Sequence, residues 1–190
     1  MRIIAGEYKG RKLSAPEGLG VRPTGDKIKG AVFNMLADYI VDATVIDLFA
    51  GSGNLGIEAL SRGAAKCIFF DNSREAIDAI KDNLMHISGG RGDDRANTCT
   101  SVEQADFRIA LRRYSGIKAD IVLADPPYEA GYYEEIMKLL DRYDIINAGG
   151  ILILESPDRF DLEDEPNGFV EIKSRKYGKT SITVYERVLT

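Results

Sequence analysis

Two short stretches carry side chains whose types and spacing could do chemistry. The first is Asp125-Pro126-Pro127-Tyr128, which closes the apolar run Ile121-Val122-Leu123-Ala124. Four apolar residues ending abruptly in an acid read as a buried parallel strand with a carboxylate at its carboxyl end. Open α/β sheets bind their ligands in the crevice beyond such strand ends. The prolines fix φ and donate no backbone hydrogen bond, and Asp125, preceding one of them, is driven toward an extended conformation. A carboxylate, a rigid turn with free carbonyls and an aromatic ring then face one crevice. They suit a flat base bearing an amino group: Asp125 and the Pro126 carbonyl can accept its N–H bonds while Tyr128 stacks on the ring. The plainer alternative is a proline-rich strand exit.

The second stretch is Asp47-Leu48-Phe49-Ala50-Gly51-Ser52-Gly53-Asn54-Leu55-Gly56, which contains Gly51-x-Gly53-x-x-Gly56, and Asp71 follows 15 residues later. Glycines permit a tight strand-to-helix turn and close backbone approach, and an acid after the second strand can accept both hydroxyls of a ribose. A nicotinamide dinucleotide would place its pyrophosphate on the helix N-terminus. S-adenosylmethionine carries instead an ammonium and a sulfonium. Asp47 favours the second ligand, because an acid four residues before the first glycine repels pyrophosphate and attracts a cation, by on the order of a few kcal/mol for partly screened charges. Asp47 could also simply accept hydrogen bonds from loop amides. Asp106-Phe107, after the third strand, could offer adenine a polar group and an aromatic wall, or Asp106 could cap a helix. Asp71 has the plain alternative of a strand-end acid.

The elements that must position these residues follow a strand–helix alternation. Residues 2–15 read as a short hairpin with basic residues near its tip, and 16–23 as a loop. Thr24 can cap a helix over 25–40, whose Ile28, Val32, Met35, Leu36, Tyr39 and Ile40 recur at helical spacing. Strands are expected at 44–49, 66–71, 98–102, 118–125 and 150–155, with helices at 54–62, 72–87, 106–114 and 131–143. Asn72 with Glu75 resembles a capping box, and 88–97 is a charged, glycine-rich loop. Residues 169–175 and 180–187 form a closing hairpin around Tyr177-Gly178. Repeated βα units imply a right-handed, doubly wound, mostly parallel sheet whose last strand is antiparallel. With no convincing linker, 1–190 is read as one domain: a basic N-terminal hairpin and helix (1–40) on a catalytic core (41–190).

Composition narrows the class. Hydrophobic side chains make up 44% of the chain and charged ones 29%, a balance that allows a substantial core. No apolar run is long enough for a membrane helix, and the apolar core at the N-terminus is too short for a secretory signal. Cys67 and Cys99 read as reduced packing residues of a cytoplasmic protein, and with His86 as the one histidine no metal centre is expected. The net charge of −5 argues against a protein that coats nucleic acid. Residues 1–34, however, hold seven basic against three acidic side chains, a net of +4 that leaves −9 for the rest. A basic arm on an acidic body suggests a localised contact with a polyanion, with an ordinary solvated surface as the alternative.

Taken together, Asp47 to Gly56 and Asp125 to Tyr128 resemble a Rossmann-like class I methyltransferase acting on an exocyclic amine. Further stretches carry a more specific resemblance, to the RsmD family of bacterial 16S rRNA guanine-N2 methyltransferases. They are Arg2-Ile3-Ile4-Ala5-Gly6, Gly10-Arg11-Lys12-Leu13, Arg22-Pro23-Thr24, Phe33-Asn34-x-Leu36, Phe49-Ala50-Gly51-Ser52-Gly53, Glu58 to Ala64 and Tyr177-Gly178. The resemblance spans nearly the whole chain. It implies S-adenosylmethionine as methyl donor, a seven-stranded sheet, and 16S rRNA or a small-subunit assembly intermediate as partner; a monomer is compatible with it. It places the catalytic motif on Asp125, Pro126, Pro127 and Tyr128. Donor contacts fall on Phe49, Ala50, Gly51, Ser52, Gly53, Asn54, Asp71 with Asn72, and Asp106 with Phe107, beside the Asp47 already noted. RNA contacts fall on Arg2, Lys9, Arg11, Lys12, Arg22 and Thr24. The chain departs from the usual pattern at Gly30, where a glutamate is common, at Asn54, where a small residue is usual, and at Asp71, which replaces a frequent glutamate. The alternatives are an enzyme acting on adenine N6 or cytosine N4, a nicotinamide-dependent oxidoreductase, and a non-catalytic rRNA-binding assembly factor.

Overall fold

The computed structural model describes residues 1–15, 25–89, 99–157 and 168–188. Its strands are β1 (Thr44–Asp47), β2 (Lys66–Asp71), β3 (Thr100–Gln104), β4 (Ala119–Ala124), β5 (Ile146–Ser156), β6 (Phe169–Tyr177) and β7 (Thr180–Arg187). They form one seven-stranded sheet in the order β3-β2-β1-β4-β5-β7-β6. The first five run parallel to their neighbours, and β7 is antiparallel to both β5 and β6. The chain leaves β1 toward β2 and later returns to β1's other edge as β4, so the strand order reverses between β1 and β4. A crevice opens at such a reversal, beyond the carboxyl ends of the two strands.

Alternation along the strands feeds two cores. Val45, Ile121, Leu123, Ile151 and Ile153 point to one face, while Ile46, Val122, Ala124, Leu152 and Leu154 point to the other. Helices α1 (Asp26–Met35), α2 (Asn54–Ser61) and α3 (Arg74–Ile87) cover the first face; α4 (Phe107–Arg113) and α5 (Tyr133–Arg142) cover the second. Each helix buries a stripe at helical spacing, such as Ala76, Ile77, Ile80, Leu84 and Ile87 on α3. Among the described residues no helix is long and apolar enough to cross a membrane.

Several boundaries differ from expectation. Helix α1 stops at Met35 because the chain turns there, with the Tyr39 amide bonded to the Leu36 carbonyl at 2.9 Å, and Ile40 still reaches the core. Thr24 lies outside the described residues, and the N-cap position of α1 is Gly25. The cap of α3 is Ser73 rather than Asn72: its hydroxyl accepts from the Ala76 amide (3.2 Å) and donates to Glu75 (2.7 Å). Strand β5 begins at Ile146, four residues before the expected Gly150, because Ile146 already pairs with Ala119 ahead of a register shift.

The N-terminal segment is a short hairpin, as expected, packed onto the core. It has one antiparallel bridge, Arg2 to Lys12, flanked by hydrogen bonds from the Ile3 amide to the Arg11 carbonyl and from Leu13 to Met1, each 2.9 Å. Ile3, Tyr8 and Leu13 are buried in the same core cluster as α1, α2 and the sheet.

Candidate active site

The glycine turn is held over the strand ends by extensions of the sheet's own hydrogen bonding. The Leu48 amide donates to the Leu123 carbonyl and the Ala50 amide to the Phe70 carbonyl, both at 2.9 Å. The turn is therefore tied at its start to β2 and β4. Gly53 caps α2 with φ +77°, in the left-handed region that favours glycine. Gly56 meets a different demand: a Cβ there would lie 2.3 Å from the Phe69 ring and 2.7 Å from Cys67 Sγ, so α2 rests directly on β2.

Asp71 ends β2 at the foot of this turn. One carboxylate oxygen accepts the Gly51 amide (2.8 Å) and the other the Ser73 amide (2.9 Å), which orients the group beside the turn and leaves lone pairs for a further donor. Asn72 is exposed next to it, its carbonyl taken by Gln104 Nε2 at 3.0 Å.

Asp47 sits elsewhere than at the mouth. It is 2% exposed, and its carboxylate accepts the Gly56 amide at 2.8 Å. Burial pushes its carboxyl up to about 7, against the opposing pull of the Gly56 hydrogen bond and with a contribution from the neighbouring Asp71 charge. The alternative of a loop brace is the one that matches this geometry. Asp47 thus acts on the turn from beneath.

On the other side of the turn, Asp106 caps α4 by accepting the Arg108 amide (2.9 Å) and pairs with the Arg108 guanidinium (3.3 Å). It remains half-buried at the end of β3. Phe107 was expected as a wall of the crevice, but it is 3% exposed and belongs to the second core. Its ring instead backs Phe49 (centroids 5.3 Å apart) and Tyr132 (5.1 Å), which are the half-exposed aromatics there. Arg108 lies over Phe107 and Tyr132 at 4.4 and 4.8 Å and is gripped by both oxygens of Glu135 at 2.5 and 2.6 Å. Nothing in the sequence reading singled out this Arg108–Glu135 clamp.

Asp125 leaves β4 half-buried, Pro126 is buried, Pro127 is exposed, and Tyr128 opens a single 3₁₀ turn, Tyr128–Ala130. The motif is therefore next to the glycine turn, across the pairing of Asp47 with Leu123. The Tyr128 hydroxyl bonds to Glu155 Oε1 (3.1 Å) and lies 3.0 Å from Thr180 Oγ1. Burial first, then the Glu155 and Asp125 charges, push this phenol up, partly offset by the Thr180 hydrogen bond. Burial first, then the Tyr128, Asp125 and Glu155 charges, carry Tyr133, at the start of α5, to about 12. Glu155 and Thr180 were missed by the sequence reading. Glu155 carried a usable signal, since it ends the apolar run Ile151–Leu154 as Asp125 ends its own.

The basic residues of the N-terminal segment divide. Lys9 and Lys12 are exposed. Arg2 is exposed but paired with Asp26 at 2.7 Å. Arg11 lies over the Tyr8 ring (5.4 Å) and donates to the Ile87 carbonyl. Lys29, counted with the basic arm, is corrected: it is 1% exposed and faces inward. Arg22, like Thr24, lies outside the described residues.

A family model described as "Conserved hypothetical protein 95" matches residues 1–186. The chain belongs to this family. It is 33% identical over 187 residues to ribosomal RNA small subunit methyltransferase D of Escherichia coli K12, covering 98% of this chain and 90% of that protein. YlbH of Bacillus subtilis, named as an rRNA methyltransferase, is 34% identical over 98% of this chain and 99% of its own length. Among solved structures, yhhF of E. coli, named as a methyltransferase, superposes with a TM-score of 0.86 at 33% identity, covering 100% of this chain and 99% of that one. An RNA methyltransferase of Salinibacter ruber solved with S-adenosyl-L-homocysteine shares the fold at 12% identity, with a TM-score of 0.63 and coverage of 88% and 95%. The class I methyltransferase architecture expected from the sequence is the architecture found.

Proposed function

We propose that this chain is an S-adenosylmethionine-dependent methyltransferase that modifies the exocyclic N2 amine of a guanine in small-subunit ribosomal RNA, as free 16S rRNA or within an assembly intermediate in the cytoplasm. The observation that carries the reading is the placement of Asp125-Pro126-Pro127-Tyr128 beside the glycine turn at the strand reversal, in a chain matched end to end by relatives named for rRNA methylation.

The turn fits the donor better than it fits a dinucleotide. Asp71 borders the turn, an environment that disfavours pyrophosphate and tolerates a cation. Phe49 to Asn54 would line the donor, Asp71 would accept its ribose hydroxyls, and Asp106 with the Phe49 ring would face its adenine. When bound, the donor supplies an electrophilic methyl group on a sulfonium.

The remaining work belongs to the protein. A guanine N2 lone pair is delocalised into the ring, so the amine must be made to pyramidalise. Asp125 and the Pro126 carbonyl would accept its two N–H bonds and favour that geometry. The amine becomes acidic only as it alkylates, so Asp125 need not be a strong base to take the proton. Tyr128 would stack on the base, contributing about 1–3 kcal/mol toward extracting it from its helix. Orientation of amine and methyl group in line supplies much of the acceleration. Arg2, Lys9, Arg11, Lys12 and Arg22 would hold phosphates.

The test is direct. Asp125→Ala should lower methylation of 16S rRNA at least about a hundredfold, while S-adenosylhomocysteine binding, measured by calorimetry, stays near wild type. Near-normal turnover in that variant would overturn the assignment of Asp125. The position of the modified base is read by mass spectrometry of rRNA nucleosides from a deletion strain with and without the restored gene.

A further inference from the structure

Between the N-terminal segment and the glycine turn lies a buried polar network with no role yet. Lys29 projects from α1 into it. Its ammonium donates to the Arg2 carbonyl (2.7 Å) and to Asn54 Oδ1 (2.8 Å) and lies 3.1 Å from Glu58 Oε2. Three acceptors satisfy an ammonium completely. Glu58 is fully buried and also takes the amides of Ile4 (2.8 Å) and Ala5 (3.0 Å) and the Arg62 guanidinium (2.8 Å). A second pin stands at the other end of the segment. Asn83, 2% exposed on α3, accepts the Ser14 amide and donates to the carbonyls of Ser14 and Ser52, all at 2.9 Å.

The pins share a pattern. Each joins one end of the segment, Arg2 or Ser14, to one residue of the turn, Asn54 or Ser52. A buried ion pair is weak support for stability, because desolvation offsets most of its attraction, and its best-attested use is to fix a register. Here the register fixed is that of the basic segment against the donor turn.

We propose that Lys29 and Asn83 are positioning residues that make the N-terminal segment and the glycine turn one unit, so that donor occupancy and grip on RNA are thermodynamically coupled. This rests on the reading given above, in which the turn holds the donor and the segment holds RNA. A ligand that orders either part orders both, and the coupling is reciprocal: donor binding tightens RNA binding by the same factor as the reverse.

Hydrogen–deuterium exchange of the full chain, with and without S-adenosylhomocysteine, tests it without any RNA. The amides of Ile4, Ala5, Tyr8 and Ser14 bond to Glu58, Ser61 and Asn83. They should exchange about fivefold more slowly, or slower still, once the donor analogue is bound. In the double variant Lys29→Met, Asn83→Ala, which cuts both pins, the analogue should still slow Gly51 and Gly53 but no longer Ile4, Ala5 and Tyr8, and its affinity should fall about tenfold. A merely structural lesion would lower stability and affinity without separating those two sets of amides. Where Asn83→Ala does not fold, Asn83→Asp takes its place, keeping the acceptor for the Ser14 amide and losing the donor to the Ser14 and Ser52 carbonyls. The coupling is overturned if, in the wild type, Gly51 and Gly53 respond to the analogue and the N-terminal amides do not. It is equally overturned by variants that retain the wild-type pattern. Failure of the analogue to bind at all strikes the donor reading itself and takes this inference with it.

Discussion

Asp47 carries a carboxyl that is neutral in the folded protein over part of the pH range in which it is ionised in the unfolded chain. Its folded value of about 7 lies above the ordinary 3.8, so the folded state binds the extra proton between those limits. Stability from this group is therefore present below pH 4 and is lost as pH rises through 7, by up to about 4 kcal/mol. Asp47→Asn keeps an acceptor for the Gly56 amide and removes the titration. Urea unfolding at pH 5 and pH 8 should show the variant gaining on the wild type as pH rises. An unchanged difference would contradict a desolvated carboxyl there. Tyr128 supports a second prediction. Its ring and its hydroxyl have separable roles, because the hydroxyl is committed to Glu155 and Thr180. In single-turnover methylation, Tyr128→Phe should lose only several-fold, while Tyr128→Ala should lose about tenfold to a hundredfold as the stacking surface disappears. The strand-end grammar that exposes Asp125 in the sequence applies to Glu155 as well. Thr180 has no such signal, since its position depends on β7 returning antiparallel beside β5.

At the scale of elements, the contact of α2 with β2 is the least forgiving. Gly56→Ala would drive a methyl group into the Phe69 ring and Cys67 Sγ, neither of which is the loose end of a flexible chain. A cost of about 2 kcal/mol or more is expected, read as a lowered urea midpoint. Because α2 begins at the glycine turn proposed to hold the donor, the affinity for S-adenosylhomocysteine should fall with it. Continuous apolar runs made the strands legible: Lys66–Asp71 is β2 to the residue. The closing hairpin is legible for the same reason, from alternation around Tyr177-Gly178. Termini chosen by competing polar side chains were harder. Ser73 outcompetes Asn72 as a cap by one residue, a choice made by how the chain leaves β2. Phe107 reads as a crevice wall in sequence, yet as the first residue of α4 it turns into the second core and leaves that place to Phe49.

At the scale of the molecule, the basic segment is a brace as well as the surface proposed to meet RNA. Its exposed charges should make RNA binding salt-dependent. Replacing Lys9 and Lys12 together with alanine should lower the slope of log affinity against log salt by about 0.7–0.9 per lost phosphate contact. The fold should be little affected, since both side chains are exposed. Lys29 looks in sequence like a further member of that charge cluster and is nothing of the kind. Its burial is decided by Arg2, Asn54 and Glu58, which lie 25 to 29 residues away along the chain, beyond the reach of any local pattern. The ties that hold residues 4–14 run to Glu58, Ser61, Asn83 and Ile87, with separations of 53 to 76 residues. During synthesis this stretch can meet α1 early, through Arg2 with Asp26 and Lys29, but its ties to Glu58, Ser61, Asn83 and Ile87 wait for α2 and α3 to leave the ribosome. Its seat against the sheet is therefore completed in stages, and the last of them closes only after the third helix has followed.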